Sequence, residues 1–281
     1  MKNRGIIPIN KPKGWTSFDV VNKLKYRLKP LKVGHLGTLD PMATGVLLVT
    51  VGKATKLFDI MQEKIKTYVA TFEFGYITDT LDADGVEIRK TENIPSQEEI
   101  LSILPKFIGK ISQIPPRYSA KSIQGERAYN LARSGVDFEL KPKEVVIFDI
   151  KFISYTERVL KLEIKCGSGT YIRSIGRDIA AKLNSLATMI DLVRSNVGNF
   201  ELSQCFEIES INEVQDFIIS VKQVLTYPTL ELDEINITKI LNGQIIRVDV
   251  VDGIYLLNDE VDTIALVSVK ENNAKMSVFL G

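Results

Sequence analysis

Apolar positions change period along this chain, and each change marks an element. Ile6 to Ile9 reads as a short strand. Thr16-Ser17 offers a helix N-cap, Phe18, Val21, Leu24 and Leu28 recur at helical spacing, and Pro30 stops the helix. Val46 to Val51 is a continuous apolar run, the pattern of a central buried strand. Tyr68, Ala70, Phe72 and Phe74 alternate with polar or smaller residues, which puts them on one face of another strand. Ser96-x-x-Glu99 is a capping box that opens a helix toward Leu104. Val145 to Ile153 and Leu160 to Cys166 alternate as strands, Tyr171, Ile175, Ile179 and Leu183 mark an amphipathic helix, and Ser210 to Leu225 is helical in pattern.

Tyr227-Pro228 is a boundary. Beyond it lie short β-like runs, Ile245 to Val250, Ile254 to Leu257, Thr263 to Val269 and Met276 to Leu280, with turns at Asn242-Gly243 and Asp252-Gly253. Arg117 to Lys143 breaks both periods. It reads as an extended insertion with one short helix over Glu126 to Arg133. The fold class expected is α+β: a mixed, mainly antiparallel sheet with flanking helices over 1–226, interrupted by the insertion at about 117–143, and a small β-barrel over 227–281.

Composition narrows the class. The chain has 281 residues, 44% of them hydrophobic, enough for one large domain or a large one with a small companion. No run of eighteen apolar residues indicates a membrane span, and Met1 to Pro8 is too short and polar for a signal peptide. Two cysteines suggest a reducing cytoplasm, and with a single histidine they give no credible metal-ligand spacing. The net charge of +1 hides an asymmetry. Met1 to Lys66 carries 13 Lys/Arg against 4 Asp/Glu, a net +9, and the remainder carries −8. Such asymmetry points to a polyanion partner, since basic side chains neutralise phosphates and release counterions. The insertion has an excess of +3, which suits an arm closing over RNA, whereas Leu230 to Gly281 carries −5.

The densest chemistry surrounds the only histidine: Gly34-His35-Leu36-Gly37-Thr38-Leu39-Asp40-Pro41-Met42-Ala43-Thr44-Gly45-Val46-Leu47. Glycines allow sharp turns and close backbone approach, and a carboxylate at the mouth of a buried strand is a candidate for catalysis. A tight turn capped by Asp40 explains the same residues without chemistry.

This stretch resembles the catalytic motif of the TruB family of pseudouridine synthases, G-H-x-G-x-L-D-P-x-A-x-G-V-L, at every specified position. Asn10-Lys11-Pro12-Lys13-Gly14-Trp15-Thr16-Ser17 is similar to the family's K-P-x-G-x-T-S. So, in family order, are Lys66-Thr67-Tyr68 with Thr78-Asp79-Thr80 and Asp82, Pro116-Arg117-Tyr118-Ser119-Ala120, Gly167-Ser168-Gly169-Thr170-Tyr171-Ile172-Arg173-Ser174, and Leu192-Val193-Arg194 with Gly198-Asn199-Phe200. The resemblance implies a uridine isomerase that flips its target nucleotide out of the tRNA T-loop, at position 55. It implies Asp40 as the catalytic carboxylate with Arg173 as ion-pair partner, and Tyr68 against the target base. Tyr171 is expected beside the uracil, Leu192 as an apolar wall under it, and His35 stacked on the rearranged RNA loop. It further implies a thumb-like role for the insertion and a PUA-type module at the C-terminal end. Lys11, Lys53, Lys66 and Arg133 are the positions picked for phosphate contacts.

The isomerisation involves no net oxidation, so no cofactor is expected; neither is a metal, a membrane or an obligatory protein partner. The chain departs from the family's Y-S-A-x-K at Ser122, with Lys121 one place early. Two alternatives stand beside the enzyme: an RNA-binding, tRNA-folding protein on the same scaffold, and a carboxylate glycosidase. The glycosidase needs a second catalytic carboxylate, and Asp79 and Asp82 read instead as turn-and-loop scaffold.

Overall fold

The computed structural model describes residues 3–62, 65–119, 121–123, 125–210 and 217–281. Strand β1 (Gly5–Lys11) leads into helix α1 (Ser17–Arg27), strand β2 (Val33–Leu36), strand β3 (Thr44–Val51) and strand β4 (Lys66–Phe74). Across the main sheet the order is Phe206–Glu207, β1, β3, Ala187–Val197, β4, Val159–Cys166, Lys143–Thr156 and Gly109–Gln113, with β2 also paired to β3. β1 with Phe206–Glu207 and β3 with Ala187–Val197 are parallel pairs, and the other pairings are antiparallel. The sheet is therefore mixed and mainly antiparallel, as the pattern predicts.

Period-two burial on β4 puts Tyr68, Ala70, Phe72 and Phe74 in one core with Leu39, Met42, Ile175, Ile179 and Leu192. Helix Ile172–Lys182 lies on that core, and its Gly176 sits against the Phe72 ring where a β-carbon would collide. α1 starts at a Thr16/Asp19 capping box and buries Ser17, Val20, Val21 and Leu24. Phe18, read as part of the inward stripe, is instead 63% exposed. It stands one helical position past Ser17, about 100° around the axis from the buried face.

The strand Ala187–Val197 lies between β3 and β4, and the apolar pattern does not announce it. Of the helix read over Ser210 to Leu225, residues 211–216 lie outside the described residues. Val221–Val224 is helical, but Ile219 instead pairs with Ile6 through two backbone hydrogen bonds. At the C-terminal end, Ile246–Arg247, Asn273–Phe279, Thr263–Lys270 and Gly253–Asn258 form a four-stranded antiparallel sheet in that order. It is not a closed barrel among the described residues: the end strands do not pair, and one of them has only two residues. Helix Glu234–Leu241 contributes Ile240 to the core of this sheet. Leu256, Leu266 and Leu280 join Ile6, Val46, Leu48, Val221 and Val224 in a second apolar cluster that fastens the small sheet to the large one.

Candidate active site

Asp40 sits in the loop between β2 and β3, and the backbone on both sides of it is clamped. Ser17 Oγ accepts the Leu39 N–H at 2.9 Å and donates to the Leu39 carbonyl at 3.2 Å. The Pro41 carbonyl accepts from Gly14 N–H at 2.9 Å and from Lys11 Nζ at 3.2 Å. From the other side the buried Arg194 guanidinium donates to the carbonyls of Val46 (2.7 Å), Gly37 (3.1 Å) and Thr38 (3.4 Å). Gly45 lies on the Arg194 backbone, in register with it across the parallel β3 pairing, and leaves no room for a β-carbon. Its φ of +103° is also one that other residues rarely adopt. The loop's conformation is thus fixed by backbone bonds to buried side chains, and the Asp40 carboxylate is left 31% exposed at its tip.

That carboxylate meets Arg173, in the first turn of helix Ile172–Lys182, at 2.9 Å from Nη2 to Oδ1. The guanidinium is shared. Its Nη1 lies 3.2 Å from Asp82 Oδ2 and donates to the Thr80 carbonyl at 2.8 Å, and Nη2 also donates to the Tyr118 carbonyl at 3.0 Å. Arg173 and Asp82 are both buried. Burial pushes the Asp82 carboxyl up, against the Thr80 hydroxyl, which donates to it at 2.5 Å, and Arg173. Asp82 was missed as a site residue. Its signal was the Thr78-Asp79-Thr80-Leu81-Asp82 block itself, read as scaffold although it delivers both a carboxylate and a carbonyl to Arg173.

Tyr68 on β4 is in register with Arg194, and Leu192 with Ala70, so the three side chains share one sheet face. Burial raises the Tyr68 phenol and Arg194 opposes it. The group is therefore a neutral hydroxyl at neutral pH rather than a resident phenolate base. Leu192 is buried in the main core. Tyr171 caps helix Ile172–Lys182, its backbone clamped by Gln113, which accepts its N–H at 2.9 Å and donates to its carbonyl at 3.2 Å. His35 on β2 pairs with Val49 on β3, and burial and then Arg194 lower its pKa, so it too is neutral. Its Nδ1 is buried without a hydrogen-bond partner among the described residues. Arg194 was missed as well; the Leu192-Val193-Arg194 block was its only signal.

The four basic positions picked for phosphate contacts lie in different surroundings. Lys11 is fully buried, and its Nζ donates to the carbonyls of Trp15 (2.6 Å), Pro12 (2.9 Å) and Pro41 (3.2 Å). It tethers the N-terminal block to the Asp40 loop and has no surface from which to reach a phosphate. Burial pulls its pKa down to about 8, against the Asp40 carboxylate, which favours its ammonium form. Lys66 is also buried, 3.4 Å from Ser168 Oγ, and burial followed by Arg194 brings it to about 8. It belongs to the interior beside Arg194 and, like Lys11, does not present its ammonium to a phosphate on the surface. Lys53 is exposed, but its Nζ is bonded to the Gly281 carbonyl and lies 4.3 Å from the Phe279 ring centre. With Lys56, which donates to the Phe279 carbonyl at 3.1 Å, it fastens the C-terminal strand. Arg133 is exposed at the end of the insertion's helix Ala128–Arg133, 5.9 Å from the Tyr129 ring centre.

A groove of about 870 Å³ lies away from Asp40. It lies on the opposite face of the sheet, lined by the alternate residues of the same strands, such as Thr67, Glu163, Lys165 and Ser195. Its side chains alternate with those that face the core, so it shares strands with the candidate site but no chemistry.

The fold is shared with the crystal structure of a Cbf5-Nop10-Gar1 complex, at a TM-score of 0.73 and 20% identity over 99% of this chain and 84% of that one. A family model described as the N-terminal domain of TruB family pseudouridylate synthases matches residues 23–172. Fold, aspartate loop and this match together put the chain in the class of pseudouridylate synthases. Among sequence relatives, the tRNA pseudouridine synthase B of Caldanaerobacter subterraneus subsp. tengcongensis is 40% identical over 246 residues, 86% of each chain. That of Dehalococcoides mccartyi is 39% identical over 274 residues, 94% of this chain and 91% of its own. The chain belongs to the TruB family.

Proposed function

We propose that this protein isomerises uridine to pseudouridine in tRNA, at position 55 of the T-loop, with Asp40 as the catalytic carboxylate. The observation that carries the reading is the 2.9 Å Asp40–Arg173 pair at the tip of a loop clamped on both flanks. The reaction breaks the N1–C1′ bond, turns the uracil, joins C5 to C1′, and returns to N1 the proton lost from C5. Positive charge develops at C1′ when N1 leaves, and a fixed carboxylate beside it stabilises that charge or captures C1′ covalently. Arg173 fixes the direction of the Asp40 oxygens. Tyr68 supplies a flat ring and a neutral hydroxyl against the base, Leu192 an apolar floor, and Tyr171 the wall beside it. His35, neutral and half-buried, suits a stacking partner for the RNA loop and offsets part of the stacking lost when the nucleotide flips.

Residues 117–143 act as the thumb on the T-arm, with Arg133 among its phosphate contacts. Residues 1–226 form the catalytic domain. The small sheet within 227–281 is a PUA-type module, and its acidic surface makes at most a minor RNA contact. The setting is the cytoplasm; among the described residues no helix is long and apolar enough to cross a membrane. A tRNA-folding role alone would leave the Asp40–Arg173–Asp82 arrangement without a use. The test is to incubate the protein with a tRNA transcript and map pseudouridine by carbodiimide modification and primer extension. The proposal expects one stop, at position 55, that disappears in a transcript with cytidine there. Modification elsewhere, or none by protein that binds the transcript, overturns it.

A further inference from the structure

The outward face of α1 has no role in the site described above. Phe18 is 63% and Tyr26 78% exposed, and with Asn22 between them they form a stripe at four-residue spacing. Single exposed aromatics are ordinary, but two on one stripe beside a groove call for a partner. That groove, about 590 Å³, is lined by Trp15, Asp19, Asn22, Lys23, Tyr26 and Arg27. Its lining carries two cations, Lys23 and Arg27, against one carboxylate, Asp19, whose Oδ2 is turned to the Thr16 N–H at 2.8 Å and the Thr16 hydroxyl at 2.6 Å. Lys23 and Arg27 line the groove, and Lys29 Nζ lies 5.1 Å from the Tyr26 ring centre. The groove is also tied to the catalytic loop, because Lys11 Nζ bonds both the Trp15 and the Pro41 carbonyls.

We infer that this face is a second docking surface for the substrate tRNA, separate from the pocket that takes the flipped uridine. Lys23 and Arg27 neutralise its phosphates, and Phe18 and Tyr26 stack on unpaired bases. Cations interleaved with flat aromatic faces are the arrangement that follows a single-stranded backbone. An acidic peptide would use the cations but leave the rings without a partner. The inference rests on tRNA being the substrate.

The test uses the full-length chain, a tRNA transcript and two double variants, Lys23→Gln/Arg27→Gln and Phe18→Ala/Tyr26→Ala, all at exposed positions outside the catalytic machinery. Dissociation constants are measured across a KCl series, and single-turnover isomerisation is measured at saturating protein. Losing two phosphate contacts reduces the slope of log K against log salt by about two, and the expected loss of affinity is about tenfold or more. The aromatic pair should weaken binding about fivefold or more with an unchanged slope, since stacking is not electrostatic. In both variants the saturated rate should stay within about twofold of wild type. Wild-type affinity and slope in both variants, with wild type binding normally, overturn the second surface while leaving the tRNA reading intact. Failure of wild type itself to bind tRNA overturns the tRNA reading, and the second surface with it.

Discussion

Replacing Asp82 by asparagine isolates the second carboxylate on Arg173. In the folded protein Asp82 Oδ2 lies 3.2 Å from Nη1, and Asp40 Oδ1 2.9 Å from Nη2, so one buried cation serves two anions. At an effective dielectric of about 20, the Coulomb attraction at the Asp82 separation is about 5 kcal/mol before desolvation. Burial offsets much of this, which is why the Asp82 carboxyl is raised rather than lowered despite its cationic neighbour. Asparagine keeps an oxygen for Nη1 and gives up a charge that burial disfavours, so stability should change by less than about 1 kcal/mol. The catalytic loss should be larger. Without Asp82 the whole guanidinium charge falls on Asp40, which is then less able to stabilise a cation at C1′. A misdirected or over-neutralised carboxylate losing about 3 kcal/mol of transition-state stabilisation slows the chemical step by about 100-fold or more. The assay is single-turnover release of tritium from [5-³H]uridine-labelled tRNA at saturating protein, with the tRNA dissociation constant expected to stay within about threefold. Folded Asp82→Asn protein working at the wild-type rate, or losing rate only through weaker binding, would refute the shared-cation argument.

Two further outcomes follow from the buried lysines. Lys11→Met removes a donor that serves three carbonyls and should cost about 2–4 kcal/mol in urea denaturation, with slower tritium release as the Asp40 loop relaxes; an unchanged midpoint would contradict the tether. Lys66 has a folded value of about 8 against 10.5 for the free side chain, so the folded state sheds this proton first. The cost of burying the ammonium is full below pH 8 and declines as pH rises toward 10.5, so stability rises across that window. The stability of Lys66→Met relative to wild type, read by chemical denaturation, should therefore be more favourable at pH 7 than at pH 10.5. The opposite order would show that Lys66 is stabilised as a cation.

Where one physical cause decided an element, the sequence was readable. The alternation from Tyr68 to Phe74 reports a strand with one buried face, and the run from Val46 to Val51 reports a strand buried on both. The strand Ala187–Val197 was hidden because bulges at Met189/Asp191 and Arg194/Asn196 break period two, and because it carries a buried arginine. With it went Arg194, which joins Tyr68 to the catalytic loop. Phe18 fitted the helical spacing as well as Val20 does, and only packing against the sheet decides which stripe turns inward. Lys11 illustrates a different limit. A lysine after a basic, glycine-containing N-terminus looks like a phosphate contact, and nothing local reveals that three carbonyls converge on it. Asp82 and Arg173 are neighbours only through the fold of a long intervening segment, so their contact has no local pattern. Asp40 was legible because its surroundings, unlike theirs, are contiguous in the chain.

The central claim is that the Asp40 carboxylate performs uridine isomerisation on tRNA. Its most direct test is tritium release from [5-³H]uridine-labelled tRNA by wild type and by Asp40→Asn, with tRNA binding measured in parallel. Wild type should release tritium, the variant should release none, and both should bind tRNA comparably. Release by Asp40→Asn at a rate near wild type would contradict the claim.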